Sequence, residues 1–211
     1  MIAGVLALVL ATAISTQATT TTSIPNPTPI ATAPLHPRVL LETSLGPIEL
    51  ELDVERAPIT AANFLRHVEA GRYHGGRFHR TVTPENQPKN PVKIAVIQGG
   101  VPPEREAEDF APIPLERTRD TGLAHRDGTV SMARDTPDSA TGDFFVCVGD
   151  QPSLDFGGAR NPDGQGFAAF GRVVNGMEIV RRIWRSPAEG QALTPPVAIL
   201  RARRLPARAA P

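Results

Sequence analysis

Apolar and polar residues alternate at the start of the long central region of the chain. Residues 39–41 are apolar, residues 43–46 have the turn-forming sequence Thr-Ser-Leu-Gly, and Ile48, Leu50 and Leu52 then alternate with Pro or acidic residues. A period of two places every second side chain on one face of a β-strand. The pattern therefore predicts two strands joined by a tight turn, in a folded region that begins near Arg38.

Two segments have the helical spacing of three to four residues instead. Pro58 opens the first, over residues 59–70, because proline is favoured at the first helical position, and Gly71 is placed to end it. We expect the second to begin at Asn175, a good N-cap with Glu178 three residues later. Each segment is predicted to be a short amphipathic helix that packs against the sheet.

Six further short strands are predicted, separated by loops rich in Gly, Pro and Asp. They cover residues 77–82, 94–98, 129–133, 143–148, 168–174 and 197–203. Many short strands with only two helices indicate a mainly β protein. We expect its sheet to close into an antiparallel barrel.

The two ends of the chain differ in composition from this region. Residues 2–14 are almost wholly apolar but too short to span a bilayer, and small residues follow, which is typical of a signal peptide. We interpret residues 1–18 as a signal peptide or apolar leader, 19–37 as a flexible Thr/Pro-rich linker, 38–204 as one domain and 205–211 as a disordered tail. The expected location is periplasmic or secreted, with no stable membrane insertion after cleavage.

Composition narrows the range of functions. The 211 residues are 40% hydrophobic, enough for one domain with a core, and 22 basic residues balance 22 acidic ones. The formal net charge is +0 at pH 7, so no net field attracts the protein to nucleic acid, and nucleic acid is not an expected partner. A monomer is the expected oligomeric state. The single cysteine, Cys147, lies in an apolar run and is predicted to be a small core residue.

Five short motifs follow one another along the chain in an order that can be compared with known families. They are Phe78-His79-Arg80, then Gln-Gly-Gly at 98–100, Val-Ser-Met-Ala at 130–133, Asp-Phe-Phe-Val at 143–146, and Phe-Gly-Arg-Val at 170–173. Each is weak alone, but their order and spacing resemble the cyclophilin family over about residues 39–203. The resemblance implies a closed eight-stranded antiparallel barrel capped by two α-helices.

The same resemblance implies an enzyme, a peptidyl-prolyl cis-trans isomerase that binds proline-containing polypeptides and needs no metal or cofactor. Arg80 matches the catalytic arginine of the family, and Phe145 matches the floor of its proline pocket. Adjacent residues of a strand face opposite sides, so Phe144 is expected to serve the core while Phe145 lines the groove. The expected substrate-binding residues are Phe78, His79, Gln98, Ala133, Arg134, Asp143, Phe145, Leu154 and Phe167.

Several positions depart from the family pattern. Asp143 stands where relatives have glutamine, and we hypothesise that it orients or partly neutralises Arg80 and favours peptides with basic residues near proline. Ser153 replaces a tryptophan that holds cyclosporin, which predicts weak inhibition by that drug. Ala95 replaces a pocket phenylalanine, and Phe167 replaces a histidine. The long loop over residues 83–92 is either a groove wall or a solvent loop, and Arg134 is expected to add a positive charge.

Other chemistries fit the sequence poorly. The histidines lack the spacing of metal ligands, and the Gly-Gln-Gly at 164–166 lacks the third glycine of a nucleotide-binding loop. Ser131 and Ser153 lack the sequence context of a hydrolase nucleophile. The serious alternative is a catalytically weak or inactive cyclophilin-like module, or a chaperone, that binds extended peptide without turnover.

Overall fold

The structure is a computed structural model that describes Met1, residues 36–108 and residues 110–206, without the side chains of residues 106–108. The predicted leader beyond Met1, most of the predicted linker and residues 207–211 of the predicted tail lie outside the described residues. Among the described residues, no helix is long and apolar enough to span a membrane.

Nine strands and three α-helices follow one another along the described chain. They are β1 (Arg38–Thr43), β2 (Gly46–Leu52), α1 (Pro58–Glu69), β3 (Gly76–Val82), β4 (Val96–Gly100), α2 (Thr118–Thr121), β5 (Thr129–Met132), β6 (Phe144–Cys147), β7 (Ala168–Asn175), α3 (Met177–Trp184), β8 (Ala188–Glu189) and β9 (Ala192–Arg204). Two 3₁₀ helices lie at Pro103–Glu108 and Pro152–Leu154.

Eight of these strands form a closed antiparallel barrel in the order β1-β2-β7-β5-β6-β4-β3-β9, and the β1–β9 pairing closes it. The two-residue strand β8 pairs only with β9 and forms a hairpin at the barrel rim. The predicted mainly β barrel is therefore confirmed, as are both long helices. The single-turn helix α2 was not predicted from the sequence.

The second long helix begins later than predicted. Asn175 does not cap it, because Asn175 still belongs to β7 and pairs with Glu49 of β2. Gly176, with φ of 91°, is the N-cap residue instead. A β-carbon at Gly176 would lie 2.4 Å from the carbonyl oxygen of Pro47, so both the turn and the close approach require glycine here.

The barrel interior holds the main hydrophobic core. The ring centroid of Phe64 of α1 lies 5.1–5.3 Å from those of three other rings, Tyr73, Phe144 and Phe170. The centroids of Tyr73 and Phe144 are 5.5 Å apart. Helix α1 packs on β7 and β9, whereas α3 packs on β2, β3 and β4. The interior is therefore covered by both long helices.

A second apolar cluster lies on the outer face of the same sheet. Its buried members are Val82, Ile94, Val96, Phe145, Cys147 and Leu154, with Ala133 and Phe167 packed against them. In β6, Phe144 and Val146 belong to the interior, whereas Phe145 and Cys147 belong to this outer-face cluster. Both the predicted division between Phe144 and Phe145 and the predicted burial of Cys147 are confirmed.

Candidate active site

A cavity of about 510 Å³ lies over the outer-face cluster. Most of the predicted site residues line it: Arg80, Gln98, Ala133, Arg134, Asp143, Phe145, Leu154 and Phe167. Residues that are up to 87 positions apart in the chain thus meet at one opening, because β3, β4, β5 and β6 are neighbours in the barrel.

Two predicted site residues do not line the cavity. Phe78 was expected to bind substrate, but its side chain is fully buried in the interior, with its ring centroid 5.7 Å from that of Phe144. His79 lies beside the cavity, and its Nε2 is 3.6 Å from Oδ2 of Asp143. The assignment of Phe78 is therefore corrected to a core residue, and His79 to a neighbour of the site.

A β-bulge explains why Phe78 and Arg80 face opposite sides although they are two residues apart. Phe78 pairs with Gly99 of β4 and Arg80 with Gln98, so β3 has one extra residue, His79, between the two pairs. A bulge breaks the strict alternation of a strand and re-aims the side chains that follow it. Arg80 consequently faces the outer cavity, whereas Phe78 remains inside.

The guanidinium of Arg80 is held by two glutamines. Nη1 donates to Oε1 of Gln98 at 2.9 Å, and Nε and Nη2 both donate to Oε1 of Gln191, at 2.9 and 2.6 Å. Burial lowers the pKa of Arg80. The partners of its guanidinium are neutral amide oxygens, not carboxylates. Arg80 therefore keeps an uncompensated positive charge at the edge of the cavity.

Asp143 does not form an ion pair with Arg80, which corrects one part of the hypothesis above. Gln98 separates the two: its Oε1 accepts from Arg80, and its Nε2 donates to Oδ2 of Asp143 at 3.0 Å. Oδ1 of Asp143 lies against Gly100, where an added β-carbon would be 1.7 Å away. Asp143 thus orients Arg80 only through Gln98, and the glycine makes room for its carboxylate.

The floor of the cavity is apolar and aromatic. Phe145 is 4% exposed, and the ring of Phe167 stands at 89° to it with the centroids 5.3 Å apart. Leu154 and Ile94 complete the wall. Ala95 does not line the cavity, and its N–H donates to Oε1 of Gln151 at 3.1 Å, whereas its neighbour Ile94 does line the cavity.

A buried polar chain lies beneath the ring of Phe145. Nδ1 of His125 is 2.7 Å from Oδ1 of Asp155, and its Nε2 is 3.0 Å from the hydroxyl of Ser131. Because a carboxylate only accepts, Nδ1 of His125 donates to Asp155. The imidazole stacks at 15° to Phe145, with the centroids 5.9 Å apart.

This arrangement has the connectivity of a hydrolase triad but not its accessibility. Ser131 is fully buried, so no substrate carbonyl can reach its hydroxyl. Burial acts to raise the pKa of Asp155, but the hydrogen bonds from His125 outweigh it and hold that pKa below its usual value. The chain therefore fixes the position of His125 under the floor of the cavity.

Arg134 does not add the positive charge that was expected of it. Its guanidinium forms two hydrogen bonds with the carboxylate of Asp163, at 2.8 and 3.0 Å, and its side chain is 1% exposed. It also lies over the ring of Phe167, 5.1 Å from the centroid. Arg134 is thus a neutralised, packed residue that holds Phe167 in place.

Arg160 supplies the second charge instead. Its Nη1 donates to Oε1 of Gln87 at 2.7 Å and to the carbonyl of Val92 at 2.8 Å. Both partners belong to the long loop at 83–92, and Gln87 is 3% exposed. The loop is therefore a brace for Arg160 and for the β8–β9 hairpin, where Asn86 bonds the carbonyl of Gly190. It does not line the cavity itself.

Three residues of the site were missed from the sequence: Gln191, Arg160 and His125. Gln191 lies 111 positions from the arginine that it holds, in a hairpin with no motif of its own. His125 stacks on Phe145, and Arg160 is fixed by residues 87 and 92, so both positions depend on contacts between distant segments. Among the described residues, no group of three His, Cys, Asp or Glu side chains could hold a metal ion.

An apolar socket lies beside a fixed guanidinium on the outside of a closed barrel, an arrangement suited to binding an extended peptide. The family model described as "Cyclophilin type peptidyl-prolyl cis-trans isomerase/CLD" matches residues 38–204. The chain belongs to this family of isomerases.

Curated relatives agree with the family assignment, and a solved structure agrees with the fold. The chain is 39% identical over 154 residues to peptidyl-prolyl cis-trans isomerase A of Dickeya dadantii, which covers 72% of this chain and 73% of that protein. It is 40% identical over 148 residues to the isomerase cyp18 of Streptomyces antibioticus, covering 69% and 81%. A cyclophilin-type isomerase of Cryptosporidium parvum, crystallised with the dipeptide Ala-Pro, superposes with a TM-score of 0.64 at 20% identity, covering 82% and 99%.

Proposed function

We propose that this isomerase accelerates rotation about X-Pro bonds by stabilising the twisted imide with Arg80. One observation carries the proposal: the guanidinium of Arg80 is fixed by three hydrogen bonds at the edge of the cavity whose floor is Phe145. A proline ring fits an apolar, aromatic floor of this kind. The adjacent imide would then lie beside Arg80.

The chemistry needs no bond to be broken. Resonance between the imide nitrogen and the carbonyl gives a rotation barrier of about 18–20 kcal/mol, and rotation localises a lone pair on the nitrogen. A guanidinium has five N–H groups, so two remain on Arg80 after its bonds to Gln98 and Gln191. Each 1.36 kcal/mol of preference for the twisted form gives about tenfold in rate.

The alternative is a module or chaperone that binds extended peptide without turnover. The cavity itself favours it as much as the enzyme, because an apolar floor binds proline whether or not the bond rotates. The names of the relatives do not distinguish an active isomerase from a binding module for this chain. A measurement of turnover by this chain distinguishes them.

A coupled assay on a short proline peptide tests the proposal. We expect the wild type to shorten the uncatalysed exchange time of about 10–100 s, and Arg80→Ala to return it close to the uncatalysed value. Arg77→Ala is the matched control, since Arg77 is on the same strand and does not line the cavity. Wild-type protein that binds the peptide but leaves the exchange time unchanged would establish the binding module.

We also propose that Asp143 favours peptides with a basic residue near proline. Its carboxylate lines the cavity and is 37% exposed, which supports contact with a substrate cation. The variant Asp143→Gln restores the amide of the relatives. Peptides with and without a lysine beside proline should then be turned over equally by the variant, and unchanged selectivity would contradict this role.

Finally, we propose that the enzyme is exported and acts as a monomer on folding envelope proteins, in which slow proline steps can limit folding. The apolar run at residues 2–14 and the Thr/Pro-rich stretch behind it support export. Cell fractionation of the full chain, with a variant carrying two lysines inside that run as control, tests the location.

A further inference from the structure

Two of the three cations that line the cavity are not paired with a carboxylate of the described residues. Arg134 is neutralised by Asp163, whereas neither Arg80 nor Arg160 has a carboxylate within 4.0 Å among the described residues. Both of these line the cavity. Two guanidinium groups therefore face one apolar socket without a counter-ion from the described part of the protein.

Arg160 is fixed by one end only. Nη1 uses its hydrogens on Gln87 and Val92, and the backbone N–H of Arg160 donates to the carbonyl of Ser153 at 3.1 Å. Among the described residues, Nε and Nη2 have no hydrogen-bond partner. The guanidinium is thus held in place while its other donors remain for a ligand.

The two cations influence each other. Burial and, second, the positive charge of Arg80 lower the pKa of Arg160. No acidic residue contributes to that shift, although Asp135 and Asp143 also line the cavity. These carboxylates come from the segment between β5 and β6, and Asp143 is on the Gln98 side of Arg80. Arg160 therefore lies in a part of the groove where positive charge is uncompensated.

We infer that Arg160 is a specificity residue that selects peptides with a carboxylate side chain, Glu or Asp, close to the proline. The inference rests on the proposed function, since it names a substrate class for the same groove. A guanidinium binds a carboxylate through two parallel hydrogen bonds, and the half-buried position of Arg160 reduces screening by solvent. An acidic peptide also neutralises the repulsion between Arg160 and Arg80.

Peptide binding tests this without relying on turnover. End-capped, fluorescently labelled peptides Ala-X-Pro-Z, with Glu, Gln or Lys at X or at Z, are titrated with the full chain and followed by anisotropy. At one of the two positions we expect Glu to bind about threefold to tenfold tighter than Gln, and this preference to fall with added salt. In Arg160→Gln the affinity ratio of the Glu peptide to the Gln peptide should fall below about twofold.

Two variants separate charge from structure. Arg160→Lys keeps the charge but loses the planar fork, so it should retain part of the preference for Glu. Arg201→Gln removes an equal charge from an exposed position on β9 that does not line the cavity, and it should change nothing. Circular dichroism of each variant reports whether the protein still folds.

Equal binding of Glu and Gln peptides by the wild type, or a preference for Glu that survives in Arg160→Gln, would overturn the inference. Turnover of the all-neutral peptide is measured in parallel. Normal turnover with charge-blind binding contradicts only the role of Arg160, whereas charge-selective binding without turnover contradicts only the isomerase.

Discussion

The barrel interior and the outer-face cluster are formed by alternate residues of the same strands, but they differ in what covers them. The interior is covered by α1 and α3, and Phe144 is fully buried there among other rings. In the outer-face cluster, Phe145 instead faces a cavity of about 510 Å³ with a polar rim. The interior is fully packed by the protein itself, whereas the outer face leaves space for a ligand.

The difference teaches how a small barrel combines stability and binding. Neighbouring side chains of β6 have separate tasks because the pleat directs them to opposite faces. Substitutions of interior residues should therefore reduce stability, whereas substitutions at the outer face should reduce binding or turnover first. The predictions below test that separation.

The largest effect is expected from Phe144→Ala. It removes a ring that contacts Phe64, Tyr73 and Phe78, and large-to-small changes of this kind cost about 3–5 kcal/mol of unfolding free energy. Phe145→Ala is the matched variant on the same strand and should cost less unfolding free energy than Phe144→Ala, because one side of its ring faces the cavity. Urea unfolding measures both.

The same pair should reverse its order in peptide binding. Phe145→Ala removes the floor of the socket and should weaken binding of a proline peptide by more than about tenfold, an effect of about 1.4 kcal/mol. Phe144→Ala should leave binding nearly unchanged at temperatures where it is folded. Equal losses of stability and binding in the two variants would show that the two clusters are not separate.

A smaller effect is expected from Gln191→Met, which keeps the length of the side chain but removes the acceptor for Nε and Nη2 of Arg80. Gln191 positions Arg80 and does not line the cavity, so turnover at saturating peptide should fall about threefold to tenfold while KM stays constant. Gln191→Glu keeps the acceptor oxygen and should recover the orientation of Arg80. A change confined to KM would assign Gln191 to substrate binding instead.

The buried chain under Phe145 predicts a pH dependence. Because the pKa of Asp155 is lowered in the folded protein, its contribution is complete above the ordinary value of about 3.9 and is lost as the pH falls through the lowered pKa. Asp155→Asn should therefore cost about 1–3 kcal/mol near neutral pH, and progressively less in acid. A cost that is constant with pH would indicate a packing effect alone.

The smallest effect concerns Ser153, which is half-buried at the rim and does not line the cavity. With no indole at this position we expect weak inhibition by cyclosporin, and Ser153→Trp should increase inhibition without altering turnover of a short peptide. Submicromolar inhibition of the wild type would contradict this prediction.

Much of the fold follows from local patterns, but parts of the site do not. The alternation of Ile48, Leu50 and Leu52 predicts a strand because one strand face is buried whatever its partner. The burial of Phe78 beside an outward Arg80 depends on the bulge at His79, which arises only from pairing with β4. Motif matching therefore placed Phe78 in the site when geometry places it in the core.

Contacts between distant segments explain the remaining differences. Gln191 and Arg160 carry no motif, and their roles depend on the β8–β9 hairpin and the 83–92 loop meeting around β3. Likewise, Asn175 has the pattern of an N-cap, but strand pairing with Glu49 prevails over it. Contacts between distant segments determine the role of each of these residues, and local sequence patterns do not predict such contacts.

The role of Arg80 is tested most directly by the rate of cis-trans exchange within the bound peptide. Nuclear magnetic resonance exchange spectroscopy of a proline peptide saturated with wild type or Arg80→Ala separates rotation from binding. We predict that the bound exchange rate falls at least about 100-fold in the variant, equivalent to about 2.7 kcal/mol, while Kd changes less than about threefold. An exchange rate preserved in Arg80→Ala, with the peptide still bound, would contradict it.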